Sequence, residues 1–281
     1  MKRKARRYCG FFTVLIPVWE RLGGFLLTLD YPPTGCYSNT MTTPEPAIIY
    51  ENKNFVVVNK PAGLAVHGGG SVTGKTLADF LLKKFPDISG IGDDPAIRPG
   101  IVHRLDRDTS GIMVVARNQD TFDTLKNLFK QRTVEKKYLA LACGVVSPKN
   151  GAIELSIGRL LKKTVRRGAG KYVKNERSAI THFRVLDIFD KKYSLLEVSP
   201  KTGRTHQIRV HLQSIHHPVA CDTLYGGKNV CCPRGLNRFF LHAHSLEFSH
   251  PEGKRWKFEA DPPPDLERVL ASLRGLAKKE E

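Results

Sequence analysis

Asp106 is the side chain in this sequence best placed to do chemistry. It lies in His103-Arg104-Leu105-Asp106-Arg107-Asp108-Thr109-Ser110-Gly111, a polar turn entered from the apolar Ile101-Val102 and left through Ile112 to Ala116. Apolar segments at both ends would hold the turn rigidly. The flanking Arg104 and Arg107 favour an ionised carboxylate, available as a nucleophile or base, although a loop aspartate satisfied by arginines can equally be structural.

Two other groupings invite chemistry and fit it less well. Gly69 to Thr76 spells G-x-x-x-x-G-K-S/T, the pattern of a phosphate-binding loop, and a helical pattern follows it. Such a loop should leave a buried strand directly, yet Leu64-Ala65-Val66-His67 is short and follows the turn Lys60-Pro61-Ala62-Gly63. The sequence also offers no apolar strand ending in an aspartate suited to magnesium. A glycine-rich loop entering a helix explains the same letters, so no nucleotide cofactor is expected. Late in the chain cluster His216, His217, Cys221, Cys231, Cys232, His242, His244 and His250. His242 and His244 would share one face of a strand, but no C-x-x-C or H-x-x-x-H spacing accompanies them. Adjacent cysteines also fit a single tetrahedral ion poorly, so no metal is expected and the thiols are read as ordinary ones.

The elements that must carry these residues follow from periodicity. Ile48 to Tyr50 and Phe55 to Asn59 read as short strands around a turn-prone Glu51-Asn52-Lys53-Asn54. Thr76 to Phe85 and Thr121 to Lys130 have helical apolar spacing, the first with Thr76 as N-cap. Strands dominate afterwards: Lys137 to Cys143, Ile153 to Ile157, Ala179 to Leu186, Tyr193 to Val198, Phe239 to Phe248 and Arg255 to Ala260. Between them, Thr205 to Ile215 is a helix candidate. The fold class is therefore α+β, with long strand runs and few helices rather than a repeated βαβ unit.

Forty-five Lys and Arg against 27 Asp and Glu in 281 residues give a formal charge of +18, which calls for an anionic partner, nucleic acid before an acidic membrane. A 41% hydrophobic, 26% charged composition excludes a chain disordered throughout. Six scattered cysteines suit a reducing compartment, and the cytoplasm is the expected location. The apolar run Phe11 to Trp19 after a basic start resembles a secretory signal, but Pro17, Glu20 and Arg21 interrupt it and it is far short of the roughly 20 residues of a membrane span. No membrane association is expected. Residues 1–46 read as an extension or an upstream start, 47–265 as the folded domain and 266–281 as a terminal helix with a charged tail. Within the domain, Arg159 to Arg177 holds eight basic side chains and one acid. It reads as a basic hairpin with Gly168 and Gly170 at its tip, reaching for phosphates or facing water.

HRLDRDTSGIMVVAR resembles the catalytic motif of the RluA family of RNA pseudouridine synthases, and four further segments appear in that family's order. They are Asn59-Lys60-Pro61-Ala62-Gly63-Leu64, Lys136-Lys137-Tyr138-Leu139-Ala140, the run Pro200 to Leu212 with its Arg204-Thr205-His206-Gln207-Ile208-Arg209, and Phe240-Leu241-His242-Ala243-His244 with His250-Pro251. The resemblance spans about residues 47–265. It implies a pseudouridine synthase fold, a mixed and mostly antiparallel sheet with flanking helices and a central cleft. It implies conversion of uridine to pseudouridine in structured RNA, large-subunit ribosomal RNA first and tRNA second, by a monomer without cofactor or metal. The rival is an RNA-binding or ribosome-assembly factor that has kept the fold without catalysis; intact Asp106, Tyr138 and Arg209 argue against it. By the same resemblance Asp106 is the essential aspartate, Tyr138 the tyrosine that stacks on uracil and helps remove the C5 proton, and Arg209 the basic partner of the aspartate. Arg104 would fill the gap left by a flipped nucleotide. Arg204 and Gln207 are expected to make RNA or structural contacts, and further RNA contacts are expected from His103, Arg107, Lys162, Lys163, Arg166 and Arg167.

The sequence departs from the family pattern in one place. Where relatives read G-H-P-I-x-G-D-x-x-Y-G, this chain has His216-His217-Pro218-Val219-Ala220-Cys221-Asp222-Thr223-Leu224-Tyr225-Gly226, with His216 and Cys221 in place of glycines. The turn geometry is therefore in question. An N-terminal S4 RNA-binding domain is expected to be absent, which leaves target selection to the catalytic domain.

Overall fold

A computed structural model describes residues 45–69, 72, 74–160, 166–169, 173–227, 230–249 and 253–275, all within the compact unit Thr42–Glu281. Its main sheet has nine strands: β1 (Ala47–Glu51), β2 (Phe55–Lys60), β3 (Ser110–Ala116), β4 (Glu135–Cys143), β5 (Asn150–Glu154), β9 (Ile180–Phe189), β10 (Tyr193–Pro200), β11 (Leu241–Ser249) and β12 (Arg255–Glu259). The order is β1-β2-β3-β11-β4-β10-β9-β5, with β12 paired to the far half of β11. Among the described strands every pairing is antiparallel except β3 with β11, where Ser110 faces His242 and Gly111 faces Ala243. This parallel contact joins an N-terminal half of the sheet to a C-terminal half. The mixed, mostly antiparallel sheet is thus as expected.

Burial explains which strands are central. SGIMVVA of β3 is buried at every position, as a strand covered on both faces requires, whereas β1 alternates exposed and half-buried residues as an edge does. One apolar core lies around β2 and β3 and includes Leu77 and Leu81 of α1 (Leu77–Lys84) and Phe122 and Leu125 of α2 (Gln119–Gln131). A second joins Leu196 and Val198 to Ile208 and Leu212 of α3 (Gln207–Ser214). A third packs Leu141 and Phe240 against Leu266, Val269 and Leu270 of α4 (Pro264–Leu273).

Helix ends are set by local chemistry. Thr76 and Asp79 form a reciprocal capping box at α1. The Asn118 side chain accepts the Thr121 N–H, so α2 starts two residues before the apolar pattern does. At α3, His206 adopts a left-handed φ of 57° and the helix begins at Gln207, later than the apolar spacing suggested.

Three expectations need correction. The apolar stretch Ile153 to Ile157 is not one strand: β5 stops at Glu154, and Ile157 opens β6 (Ile157–Leu160) of a separate sheet, ordered β7-β6-β8 with β7 (Arg167–Ala169) and β8 (Val173–Arg177). The described residues of the basic segment therefore lie in or directly beside three strands, and Gly168 lies inside β7 opposite Gly158, not at a tip; Gly170 lies outside the described residues. The four cysteines among the described residues are not free thiols. Cys143 is bonded to Cys231 and Cys221 to Cys232, with Cα separations of 5.8 and 4.6 Å. The first pair is 88 residues apart in sequence, and only the tertiary fold brings the end of β4 beside the loop that carries Cys231. The compartment reading loses the support it drew from unpaired thiols. His216 and Cys221 keep glycine-like backbone, with φ of 66° and 61°.

Candidate active site

Asp106 stands at the mouth of a chain of charges that runs inward. Its Oδ2 accepts Arg209 Nη1 at 3.2 Å, and Arg209 in turn donates Nε and Nη2 to Asp222 at 2.6 and 2.9 Å. Side-chain exposure falls from 21% at Asp106 to 7% at Arg209 and 1% at Asp222, so the bidentate pair is the buried anchor and Asp106 the end that meets solvent. Burial alone would lower the Arg209 pKa. The hydrogen bonds and charge of Asp222, then Asp106, more than offset it and hold the guanidinium charged. The guanidinium also lies over Phe239 and Tyr225, 4.2 and 5.0 Å from the ring centres.

His206 approaches Asp106 from the same side, Nε2 to Oδ1 3.9 Å. The hydroxyl of Tyr225 accepts the Arg167 backbone N–H at 2.9 Å and lies 2.8 Å from His206 Nδ1. Burial raises the phenol pKa and keeps Tyr225 protonated; in the tautomer where this hydroxyl donates to Nδ1, the ring hydrogen is on Nε2, facing the carboxylate. Burial also lowers the His206 pKa, against the pull of Asp106.

These groups open into a cleft of about 520 Å³. Its lining includes Tyr138 from β4, eight Lys and Arg side chains (Arg98, Arg104, Lys130, Arg132, Lys136, Lys201, Arg204 and Arg209) and one carboxylate, Asp106. Tyr138 has its phenol pushed up by burial and then by Asp106, so it stays protonated. Burial, then Lys201, brings Lys136 down to about 8. Such a cleft suits a polyanion with one reactive point at its floor.

The expected RNA-contact residues divide. Arg104 is exposed on the cleft and donates to His67 Nε2 at 3.3 Å, and Arg204 lines the cleft while donating Nε to the Ser178 carbonyl. Arg107 turns its Nε to the Gly63 carbonyl at 2.9 Å, so among the described residues the charged partner of Asp106 is Arg209, with His206 Nε2 approaching at 3.9 Å, and not its two sequence neighbours. His103 accepts the Val114 N–H at 3.1 Å and stacks on Phe129; burial, then Lys136, pushes it down to about 3, which makes it a neutral structural ring. Gln207 has its amide used up by Thr202, the Arg204 N–H, the Ile180 carbonyl and Thr181. Arg166 lies over the Tyr225 ring and Arg167 belongs to β7, while Lys162 and Lys163 fall outside the described residues.

The rival motifs resolve into structure. Thr76 uses its hydroxyl in the capping box, and the Leu77 and Ala78 N–H groups go to the carbonyls of Ala65 and Val66, so the start of α1 is occupied by its own chain rather than open to phosphate. Residues 70, 71 and 73 of that motif lie outside the described residues. His242 spends Nδ1 on Ser110 and Nε2 on the Ala260 carbonyl. Sequence reasoning missed His206, Asp222 and Tyr225 as site residues. Their signals were present in Thr205-His206-Gln207 and in Asp222-x-x-Tyr225.

Comparison with known proteins points one way. The family described as RNA pseudouridylate synthase matches residues 54–214. The Ribosomal large subunit pseudouridine synthase D of Neisseria meningitidis serogroup B is 40% identical over 275 residues, covering 92% of this chain and 69% of that protein. An RNA pseudouridine synthase of Bacillus subtilis is 39% identical over 249 residues, covering 84% and 79%. The structure of Human RNA Pseudouridylate Synthase Domain Containing 1 superposes with a TM-score of 0.66 at 27% identity over 83% of this chain and 96% of that one.

Proposed function

The chain belongs to the RNA pseudouridylate synthase family, and we propose that it isomerises particular uridines of large-subunit ribosomal RNA to pseudouridine, with Asp106, Tyr138 and Arg209 at the reacting centre. The observation that carries this reading is the lone carboxylate at the floor of a cationic cleft, paired from behind by Arg209. The cations draw in the phosphate backbone; a uridine flipped out of its stack brings C1′ to Asp106.

The reaction exchanges bonds without net gain or loss of atoms. The N1 to C1′ bond breaks, the uracil turns, C5 bonds to C1′, and the C5 proton leaves while N1 gains one. Asp106 starts it either by attack at C1′ or by taking the sugar proton that yields a glycal. Arg209 keeps the carboxylate aimed and unprotonated. Tyr138 supplies a ring for stacking. Because its phenol stays protonated, it can take the C5 proton only by passing its own on in the same step.

No helix among the described residues is long and apolar enough to cross a membrane, and an RNA substrate of this class supports a cytoplasmic site of action. Asp106→Asn should abolish pseudouridine formation in a large-subunit RNA transcript, read by carbodiimide mapping, while RNA affinity stays within about twofold because the cationic lining is untouched. Wild-type turnover in that variant would sink the assignment.

A further inference from the structure

The proposed reaction has no use for cysteine, yet the four cysteines among the described residues meet beside the site and pair completely. Cys231 and Cys232 are neighbours in the loop before β11. One reaches Cys143 at the end of β4, the other Cys221 in the turn after α3. The Cys221 N–H also donates to the Cys231 carbonyl at 2.8 Å. The next residue is Asp222, whose Oδ1 takes the N–H groups of Leu224 and Tyr225 and whose carbonyl takes that of Gly226. This turn presents Asp222 to Arg209, and Arg209 to Asp106.

Cys221 occupies a backbone position that disfavours it. Its φ of 61° is left-handed, where a side chain is disfavoured and glycine is not. A crosslink from that residue into the adjoining loop holds the conformation that a glycine would adopt without strain. Cys221 itself is buried, but Cys232 is exposed. Exposed disulfides are the reducible ones, and those of the cytosol are mostly transient or redox-sensing.

We infer that the two disulfides form a redox clasp that positions Asp222, so that thiol–disulfide exchange with a dithiol reductant sets how firmly Arg209 is presented to Asp106. A thiolate of the reductant attacks the Sγ of Cys232, the exposed residue of the pair, and Cys221 leaves as a thiolate and takes up a proton. The second thiol of the reductant resolves the mixed disulfide, releasing Cys232 as a thiol and the reductant as a cyclic disulfide. Two electrons and two protons pass to the protein at each bond, and Cys143–Cys231 is opened by the same exchange. An oxidised disulfide of the same class closes the clasp again. Cys221 and Asp222 act here as positioning residues, through Arg209.

The test begins without RNA. Protein purified without reductant, alkylated under denaturing conditions and digested, should yield one crosslinked species that joins the peptides carrying Cys143, Cys221 and the Cys231-Cys232 pair. Reduction with dithiothreitol should speed hydrogen exchange at the Leu224, Tyr225 and Gly226 amides by about tenfold or more and lower Tm by roughly 5 to 15 °C. Free thiols at Cys143, Cys221, Cys231 and Cys232 as purified, a stoichiometric zinc ion released with them, or unchanged exchange at those amides would overturn the clasp. A second arm rests on the pseudouridine reading. Dithiothreitol should lower kcat on a large-subunit RNA transcript about tenfold with KM little changed, and oxidised glutathione should restore it. The double variant Cys221→Gly, Cys232→Ser should respond to dithiothreitol less than about twofold, since glycine holds the turn unaided. A kcat equal in both redox states of an active enzyme would overturn the proposal, whereas inactivity in both states with the crosslink and exchange effect intact would count against the pseudouridine reading instead.

Discussion

Asp222→Asn isolates the claim that Asp106 is aimed from behind. Asp222 Oδ1 accepts the N–H groups of Leu224 and Tyr225 at 3.1 and 3.2 Å and Arg209 Nη2 at 2.9 Å, while Oδ2 accepts Arg209 Nε at 2.6 Å. Asparagine in the same pose keeps Oδ1 and its three donors. It turns Oδ2 into an NH2 group that faces another N–H. The change removes one charge-assisted hydrogen bond, worth about 1.5–3 kcal/mol, and leaves Arg209 without its buried counter-charge.

Breaking a buried ion pair by removing one partner costs about 3–5 kcal/mol, and the retained Oδ1 bonds place this case at the lower end, about 3 kcal/mol. For a domain of this size that lowers Tm by about 6–12 °C. Function should fall as well, because Arg209 keeps only the Nη2 bond to a now neutral partner and its 3.2 Å contact with Asp106, and the loss of the Nε bond loosens the angle at which it is presented. Single-turnover pseudouridine formation at saturating RNA should slow by about tenfold or more, equivalent to about 1.4 kcal/mol of barrier, with RNA affinity within about twofold. Thermal melting and that rate together decide the matter. A variant melting within about 1 °C of the parent and reacting within about twofold would refute the reasoning, since Arg209 would then be held by something other than Asp222.

Charge in the cleft and burial of histidine give two more expectations. Lys130, Arg132 and Lys201 are exposed on the cleft lining; replacing all three with Gln should reduce the slope of log binding constant against log salt by about 2, at about 0.7 per single-strand phosphate contact. An unchanged slope would mean that they face water in the complex. Burial, opposed by the Ala260 carbonyl bond, pushes His242 down from 6.5 to about 4, so the unfolded chain binds the extra proton between those values and stability is full above pH 6.5 and lost as pH falls toward 4. Urea melts should show about 2 kcal/mol of this loss at pH 5, and His242→Asn should remove that part of the pH dependence; an undiminished difference between pH 7.5 and 5 would disprove it.

What was legible in the sequence was whatever lies in contiguous motifs. Asp106, Tyr138 and Arg209 each sit in a run whose neighbours have fixed types, and the structure brings Asp106 and Arg209 together across 103 residues. Their supporting partners were less visible because support is a tertiary property. Asp222 is 13 residues from Arg209, and nothing in its local pattern says that both carboxylate oxygens point at a guanidinium. Gln207 and His103 were read as RNA contacts because they are polar residues beside catalytic ones. Both line the cleft, but Gln207 spends its amide on Thr202, Arg204, Ile180 and Thr181 and His103 spends Nε2 on the Val114 N–H. Helix α3 shows why periodicity misleads there: Gln207 to Leu212 are all buried, so polar and apolar residues alike face protein.

The Asp106 turn is fixed through its backbone from two sides, which leaves only the carboxylate to be aimed. The Arg107 carbonyl accepts from Lys60 Nζ at 2.9 Å and from the Gly63 N–H at 3.0 Å, and Arg107 Nε returns to the Gly63 carbonyl. On the other side, Arg238 donates Nη1 to the Asp108 carbonyl at 3.2 Å while gripping Asp265 of α4. Lys60 is fully buried, and burial pushes it down to about 7. Its three acceptors, Pro61, Leu64 and Arg107, need all three hydrogens of the ammonium form, so loss of its proton would free one carbonyl. At the far end, Gly111 has a φ of 122° and a Cβ there would collide with the Ala243 backbone, so only glycine lets β3 meet β11 directly after the turn. Nucleophilic or basic attack tolerates little positional error. With the backbone pinned by Lys60, Arg238 and Gly111, the remaining freedom is rotation about the two side-chain bonds of Asp106, and that is the freedom Arg209 and Asp222 limit. Substitutions at the pins should therefore be read first as losses of fold, and substitutions at Asp222 first as losses of aim.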